Sequence, residues 1–109
     1  MLTMKGKDII LTRGDSASFN LIIYNGENIY TLQEGDHVVF TIRKDPKNTP
    51  NNPAPLLNKV FDNNVVVLNP QDTNLLNYGD YKYNVQITFG DGGINTIIAG
   101  NITLATEVS

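Results

Sequence analysis

The stretch from Tyr81 to Phe89 alternates between apolar and polar side chains, and this alternation constrains the fold more than any other feature of the chain. The intervening residues are polar, and the apolar positions are Tyr81, Tyr83, Val85, Ile87 and Phe89. Because successive side chains of a β-strand point to opposite faces, the pattern predicts an antiparallel strand with one buried and one solvated face.

Two earlier segments show the same period. Residues 16–24 place Ala17, Phe19, Leu21 and Ile23 on one face, and residues 38–44 place Val38, Phe40 and Ile42 on one face. Composition agrees: Ile, Val and Thr together number 29, whereas Ala, Glu, Gln, Lys, Arg and Met together number 20. β-Branched side chains suit a pleated surface, so the chain is predicted to be rich in strands.

Turn signals separate these strands. Asparagine occurs 15 times, and Asn bonds its own backbone and tolerates the left-handed region. Corners are predicted at Asn25-Gly26, at 34–36, at 62–64 and at the 90–93 hairpin loop. A short edge strand is expected over 29–32, between the first two of these corners. Residues 70–77, with Pro70 at the first helical position, form the one predicted helical turn, and the last strand, 94–106, is expected to carry a bulge near Gly100.

The predicted fold is therefore all-β. We expect an immunoglobulin-like antiparallel β-sandwich of about seven to eight strands, in a single domain spanning residues 1–109. Residues 45–55 hold four of the five prolines. Since proline lacks the ladder N–H, this segment is predicted to be an exposed Pro/Asn-rich loop. The sequence does not say whether that loop binds anything.

Composition excludes several kinds of site. The chain has no cysteine, one histidine and a net charge of −3, so disulfides, thiolate metal sites and nucleic-acid binding are not expected. No apolar run is long enough to insert into a membrane. The N-terminal residues lack the apolar core of a signal peptide, and the cysteine-free composition fits synthesis in the cytoplasm. No catalytic residue, cofactor or metal is predicted, and the chain is not expected to be an enzyme.

Three motifs have a structural and a functional interpretation. Arg13-Gly14-Asp15 spells an integrin-binding tripeptide, but a turn between two strands already explains it. Asp62, Asp72, Asp80 and Asp91 could bind Ca²⁺ if their loops converged, whereas turn formation and capping account for each acid separately. His37, without a nucleophile or a second ligand, is interpreted as a surface or packing residue.

The tyrosines are the candidate contact residues. Tyr81 and Tyr83 alternate with polar residues and are assigned to the core, and Tyr81 could bond backward to the preceding loop as a corner tyrosine. Tyr24, Tyr30 and Tyr78 are candidate surface-contact residues, because exposed aromatic rings pack against proteins and stack on sugars.

Three segments together resemble a known family. They are residues 9–19, with a strand, the Arg-Gly-Asp turn and a Phe-led strand; residues 38–44, after a Glu-Gly-Asp corner; and residues 72–85, with Asn77-Tyr78-Gly79-Asp80-Tyr81. Their order and spacing, from about Lys7 to Thr106, resemble the N-terminal domain of baseplate upper proteins from phages and prophages of Gram-positive bacteria.

The resemblance implies a structural role in the virion. Such domains lie at the tail tip and attach receptor-binding proteins to the baseplate, without a catalytic centre. The expected partners are other tail or baseplate proteins, with a homo-oligomer as an alternative, and the expected location is the virion, after synthesis in a bacterial host. A partner would pair with a strand at the edge of a sheet, and residues 8–12 and 94–106 are the candidate edge strands. The partner, the stoichiometry and the host receptor are not specified. The alternative function is a carbohydrate- or cell-surface-binding β-sandwich.

Overall fold

The computed structural model describes residues 2–3, 8–44, 55–74 and 76–105. Within these ranges it contains ten strands and one helical turn. They are β1 (Leu2–Thr3), β2 (Ile9–Thr12), β3 (Ala17–Asn20), β4 (Tyr24–Asn25), β5 (Asn28–Ile29), β6 (His37–Lys44), β7 (Leu57–Phe61), β8 (Val65–Leu68), α1 (Pro70–Thr73), β9 (Gly79–Thr88) and β10 (Ile94–Ala105). The prediction of an all-β chain is confirmed.

Five strands form the main sheet, in the order β2-β10-β9-β6-β7. Neighbours run antiparallel except β2 and β10, which pair in parallel with Ile9 opposite Ile102. The expectation of a wholly antiparallel structure was therefore wrong, and the sheet is mixed. A parallel pair needs a long connection between its strands, and here almost the whole chain lies between β2 and β10.

Two smaller sheets accompany the main one. β3 pairs with β8, and β4 lies between β1 and β5. Three of the ten strands have only two residues, so the described chain has seven strands of four residues or more, in line with the predicted number. The strand expected over 29–32 is shorter than predicted and lies at Asn28–Ile29.

One core joins the main sheet to the β3–β8 pair. Its buried members include Phe40 and Ile42 from β6, Val85 from β9, and Val66 and Leu68 from β8. The alternation predicted for 81–89 is confirmed, since Tyr81, Tyr83, Val85 and Ile87 are all buried. In the 16–24 segment Leu21 and Ile23 are also buried, although regular strand structure ends at Asn20.

The turn predicted at Asn25-Gly26 is a two-residue hairpin loop, and its two central residues lie one position later in the sequence than predicted. Gly26 and Glu27 are its central residues, and only Gly26 has a positive φ, of 66°. This is the type II′ pattern, with glycine at the first central position, rather than the type I′ turn that the Asn-Gly pair suggests. The 90–93 loop is a hairpin loop as predicted, with the Phe89 N–H bonded to the Gly93 carbonyl at 2.8 Å.

The bulge in β10 lies elsewhere than expected. Its register shifts between Thr96 and Ile98, and the extra residue lets both Ile97 and Ile98 be buried. Gly100 has a different role: a Cβ there would lie 3.1 Å from the ring of Tyr83. The glycine therefore makes room for a core tyrosine that stacks on Phe40, with ring centroids 5.6 Å apart.

The proline-rich segment 45–55 lies outside the described residues, apart from Pro55 at its end. The predicted helical turn is present but shorter than 70–77, at Pro70–Thr73, with Pro70 in its first turn. The Asp72 carboxylate accepts a hydrogen bond from the N–H of Asn69 at 2.6 Å, which satisfies a donor at the helix start.

Candidate functional site

A surface groove of about 370 Å³ opens where the chain passes from one small sheet to the other. Residues 21–22 form one wall, residues 29–32 form the second, and the 62–64 turn closes one side. Most of the lining comes from two candidate regions of the sequence, the segment around Tyr30 and the Asp-Asn-Asn turn.

The groove exists because neighbouring residues bond to different partners. Leu21 extends the pairing of β3, with its N–H 2.7 Å from the Asn64 carbonyl and its own carbonyl 3.1 Å from Asn64 Nδ2. Two residues later, the carbonyl of Ile23 accepts from the N–H of Tyr30 at 2.7 Å. The segment 21–23 therefore pairs first with the 62–64 turn and then with the segment at Tyr30. The groove is the space between these two partner segments.

Tyr30 is held in place by Asp36. Its hydroxyl donates to Asp36 Oδ2 at 2.5 Å, and the N–H of Gln33 donates to the same oxygen at 2.9 Å. The hydrogen bond to Asp36, with burial and the carboxylate charge, raises the pKa of Tyr30 to about 12. The Tyr30 hydroxyl, followed by the Gln33 N–H, lowers the pKa of Asp36. Tyr30, one of the residues that line the groove, is therefore neutral near pH 7, and Asp36 fixes the position of its hydroxyl.

The rim of the groove combines apolar and polar groups. Ile22 and Ile29 are 53% and 69% exposed. On the opposite side, Asn63 Oδ1 accepts from the N–H of Val65 at 2.9 Å, and Asp62 Oδ1 lies 2.7 Å from Nδ1 of His37. Such a rim can contact a ligand that has both hydroxyl groups and apolar faces.

The three candidate tyrosines lie in two environments. Tyr24 is half-buried in β4, opposite Ile29, and Tyr30 follows on the same hairpin. Tyr78 is 46% exposed, and the guanidinium carbon of Arg13 lies 4.4 Å from its ring centroid. The tyrosines therefore contribute to two surfaces, one beside the groove and one beside α1.

The Arg13-Gly14-Asp15 segment is a turn, as its structural interpretation predicts. Gly14 has a φ of 86°, and the N–H of Asp15 bonds to the Thr12 carbonyl at 3.1 Å. The turn docks on α1, because the N–H of Gly14 donates to Oγ1 of the fully buried Thr73 at 2.9 Å. Nη1 of Arg13 also donates to the carbonyls of Asn74 and Leu76, at 3.4 and 3.3 Å. The arginine thus binds this molecule's own backbone.

The strand β2 forms one edge of the main sheet in the described part of the chain. The N–H of Arg13 bonds to the Ala105 carbonyl, so the backbone groups of alternate residues point toward β10 and those of Ile10 point away from it. The Ile10 side chain is 78% exposed. The expected edge at 8–12 is therefore present, and among the described residues no strand pairs with the backbone groups of Ile10 on the side away from β10.

The second expected edge, 94–106, is only partly an edge. Its residues Ile102–Ala105 are covered by β2. Among the described strands, the opposite edge of the sheet is β7, which carries Val60 at 59% exposure. Sequence reasoning missed this edge, because alternation within a strand carries no information about which strand lies beside it.

The four acids considered for Ca²⁺ each have a separate partner. Asp62 contacts His37, Asp72 contacts Lys59, Asp80 accepts from Thr103, and Asp91 accepts from the N–H of Gly93. Within the described ranges no three His, Cys, Asp or Glu side chains are grouped as metal ligands would be. The capping and turn interpretation holds for Asp72 and Asp91, whereas Asp80 lies in β9 and bonds across the sheet, and Asp62 bonds to a side chain of β6.

Comparison of the sequence with protein-family models and with curated proteins gave no match. No helix in the described part of the chain has the length and apolar character needed to cross a membrane.

Proposed function

We propose that the protein is a non-catalytic structural module of a phage or prophage tail or baseplate, which attaches other virion proteins by protein–protein contact. The observation that carries the proposal is the β2 edge, where the backbone of Ile10 points away from the sheet and its side chain is 78% exposed. Free edge groups beside an apolar residue are suited to pairing with a strand of a partner.

We also propose the finer architecture, an immunoglobulin-like sandwich. Three features support it: β9 lies between β6 and β10, β3 pairs with β8 as a separate sheet, and Tyr81 donates from its hydroxyl to the carbonyl of Asn77 at 2.7 Å. A corner tyrosine at the start of such a strand is typical of these sandwiches. The parallel pairing of β2 with β10 gives the main sheet an added strand beyond the central three.

The partner that fits the edge is an extended segment of another tail or baseplate protein. Pairing to β2 would add a sixth strand and would cover Ile10. Self-association through the same strand is the alternative form of this contact, and it would produce a homo-oligomer. We place the protein in the virion, after synthesis in the bacterial host, with neither nucleic acid nor a membrane as its partner.

The test is the composition of phage particles. Particles released by the strain that carries the gene are purified, analysed by mass spectrometry and labelled with a gold-conjugated antibody against the protein. The proposal predicts the protein in the particles, with label at the tail end. Presence in the cell lysate together with absence from intact particles would reject it.

The groove supports a second candidate function, carbohydrate or cell-surface binding. Tyr30 lines the groove with a hydroxyl held by Asp36, and Asn63 and Asn64 belong to the turn that closes one side of it. A glycan array, with Ile29→Asp as a groove variant, tests this function. Binding that the variant loses supports it, whereas a blank array and a melting temperature unchanged by Ca²⁺ would remove it.

A further inference from the structure

A lysine, an asparagine and an aspartate meet on one face of the main sheet. Lys82 of β9 and Asn101 of β10 are directly opposite in the antiparallel register. Nζ of Lys82 donates a hydrogen bond to Oδ1 of Asn101. Nδ2 and the backbone N–H of Asn101 both lie 3.3 Å from Oδ1 of Asp8, just before β2. The amide is therefore held between an amine and a carboxylate.

We propose that Lys82 and Asn101 form an intramolecular isopeptide bond that links β9 to β10, with Asp8 as the proton carrier. Nζ of Lys82 contacts the carbonyl oxygen of the Asn101 amide, and the Asp8 carboxylate contacts Nδ2, the nitrogen that would leave. Acyl transfer from an amide to an amine needs this order: a nucleophile at the carbonyl and a proton donor at the leaving group.

The reaction balances without any co-reactant. Nζ of Lys82, after losing a proton, attacks Cγ of Asn101 and forms the new C–N bond. The Cγ–Nδ2 bond then breaks and Nδ2 leaves as ammonia. Of the two protons that the lysine ammonium loses, one is carried by Asp8 to Nδ2 and the other goes to solvent. No atom is oxidised or reduced, and Asp8 ends as a carboxylate.

The contacts of neighbouring groups assign the roles. Asp80 lies two residues before Lys82 and accepts from Oγ1 of Thr103 at 2.7 Å. Asp8 is therefore the carboxylate that contacts the side-chain amide of Asn101. Lys59, by contrast, donates to the Asp72 carboxylate and to the Val67 carbonyl. A carboxylate is not an acyl donor without activation, so Lys59 is a matched lysine for which no bond is expected.

The test is the intact mass of the purified full chain. Loss of ammonia lowers the mass by about 17 Da, a covalent change that denaturants do not reverse. The wild-type protein and Lys59→Arg are expected to show this loss. Lys82→Arg, which keeps the charge and the hydrogen bond, is expected to have the mass calculated from its sequence. Asp8→Asn is expected to show little or no loss.

Cyclisation of Asn25 next to Gly26 would also release ammonia, so the site must be located. Tandem mass spectrometry of a protease digest is expected to give one branched peptide that joins the segments containing Lys82 and Asn101. Circular dichroism checks that Lys82→Arg is folded. An intact wild-type mass equal to the calculated one, an equal loss in the wild type and in Lys82→Arg, or the absence of the branched peptide would overturn the proposal. The result does not depend on the proposed attachment function.

Discussion

The hydroxyl group of Tyr81 lies 2.7 Å from the carbonyl oxygen of Asn77 and donates a hydrogen bond to it. Tyr81 is buried in the core, with 6% of its surface exposed, whereas Asn77 belongs to the connection that enters β9. One side chain thus anchors both the core and the approach to the central strand of the main sheet.

Replacing this tyrosine by phenylalanine removes the hydroxyl and keeps the ring. Tyr81→Phe is expected to lower the free energy of unfolding by about 1 kcal/mol, because a partly buried carbonyl loses its donor. Urea denaturation measures the change. Tyr78→Phe, at a position that is 46% exposed, is the control and is expected to be nearly neutral. Equal effects of the two variants would contradict the anchoring role of Tyr81.

The space at Gly100 gives a second prediction. A Cβ there would meet the Tyr83 ring at 3.1 Å, and that ring is buried against Phe40. Gly100→Val is therefore expected to lower the free energy of unfolding by about 2 kcal/mol through overpacking. Ala99→Val adds bulk at the neighbouring exposed position, where strand propensity favours valine. Equal stability of Gly100→Val and Ala99→Val would contradict the claim that Gly100 makes room for the Tyr83 ring.

The Tyr30–Asp36 hydrogen bond predicts a pH dependence at alkaline pH. The pKa of Tyr30 is raised from 10.0 to about 12 in the folded protein, so the folded state holds its proton more tightly than the unfolded state. This contribution to stability is complete below pH 10 and is lost as the pH rises to about 12. Tyr30→Phe is expected to remove that part of the pH dependence. Absorbance titration of tyrosinate, with Tyr24→Phe as control, identifies the late-titrating group; an unchanged late titration in Tyr30→Phe would refute the assignment.

Lys59 and Asp72 join β7 to α1 at 2.7 Å, with side chains 22% and 13% exposed. Burial raises the pKa of Asp72, but the bond from Lys59 and the N–H of Asn69 outweigh it and lower the pKa below its ordinary value. Lys59→Met leaves the carboxylate without its cation and is expected to cost about 2 kcal/mol near neutral pH.

This loss has a characteristic dependence on pH. Because the folded-state pKa of Asp72 is lowered, its stabilising contribution is present above pH 3.8 and disappears as the pH falls through the lower, folded value. The difference between wild type and Lys59→Met is therefore expected to shrink in acid. Lys44→Met, at an exposed position, is the control. A difference that stays constant from neutral to acid pH would count against the ion pair.

Alternation within a strand was a reliable guide to the core, since one strand reports directly which of its faces is buried. The faces predicted for 81–89, and for Val38, Phe40 and Ile42, are the buried faces in the structure. The turn interpretation of Arg13-Gly14-Asp15 and the backward bond of Tyr81 also follow from short-range chemistry, in which the partners are close in sequence.

Features that depend on long-range pairing were not predictable in the same way. The parallel match of β2 with β10 joins residues 9–12 to residues 102–105, and no local pattern encodes it. Gly100 was expected to mark a bulge, but its reason is a tyrosine on the neighbouring strand. Tyr30 was expected to be a free surface ring, whereas its hydroxyl is bonded to Asp36, a partner that a strand-and-turn pattern does not identify.

The central claim is attachment of a virion partner through the edge of β2, and photo-crosslinking in assembled particles tests it most directly. A photoreactive amino acid is introduced at Ile10, and at the exposed Glu27 as a control of comparable accessibility. We predict that position 10 crosslinks to one other tail or baseplate protein, or to a second copy, far more strongly than position 27. Particles that contain the protein but give no crosslink at position 10 above that at position 27 would contradict the claim.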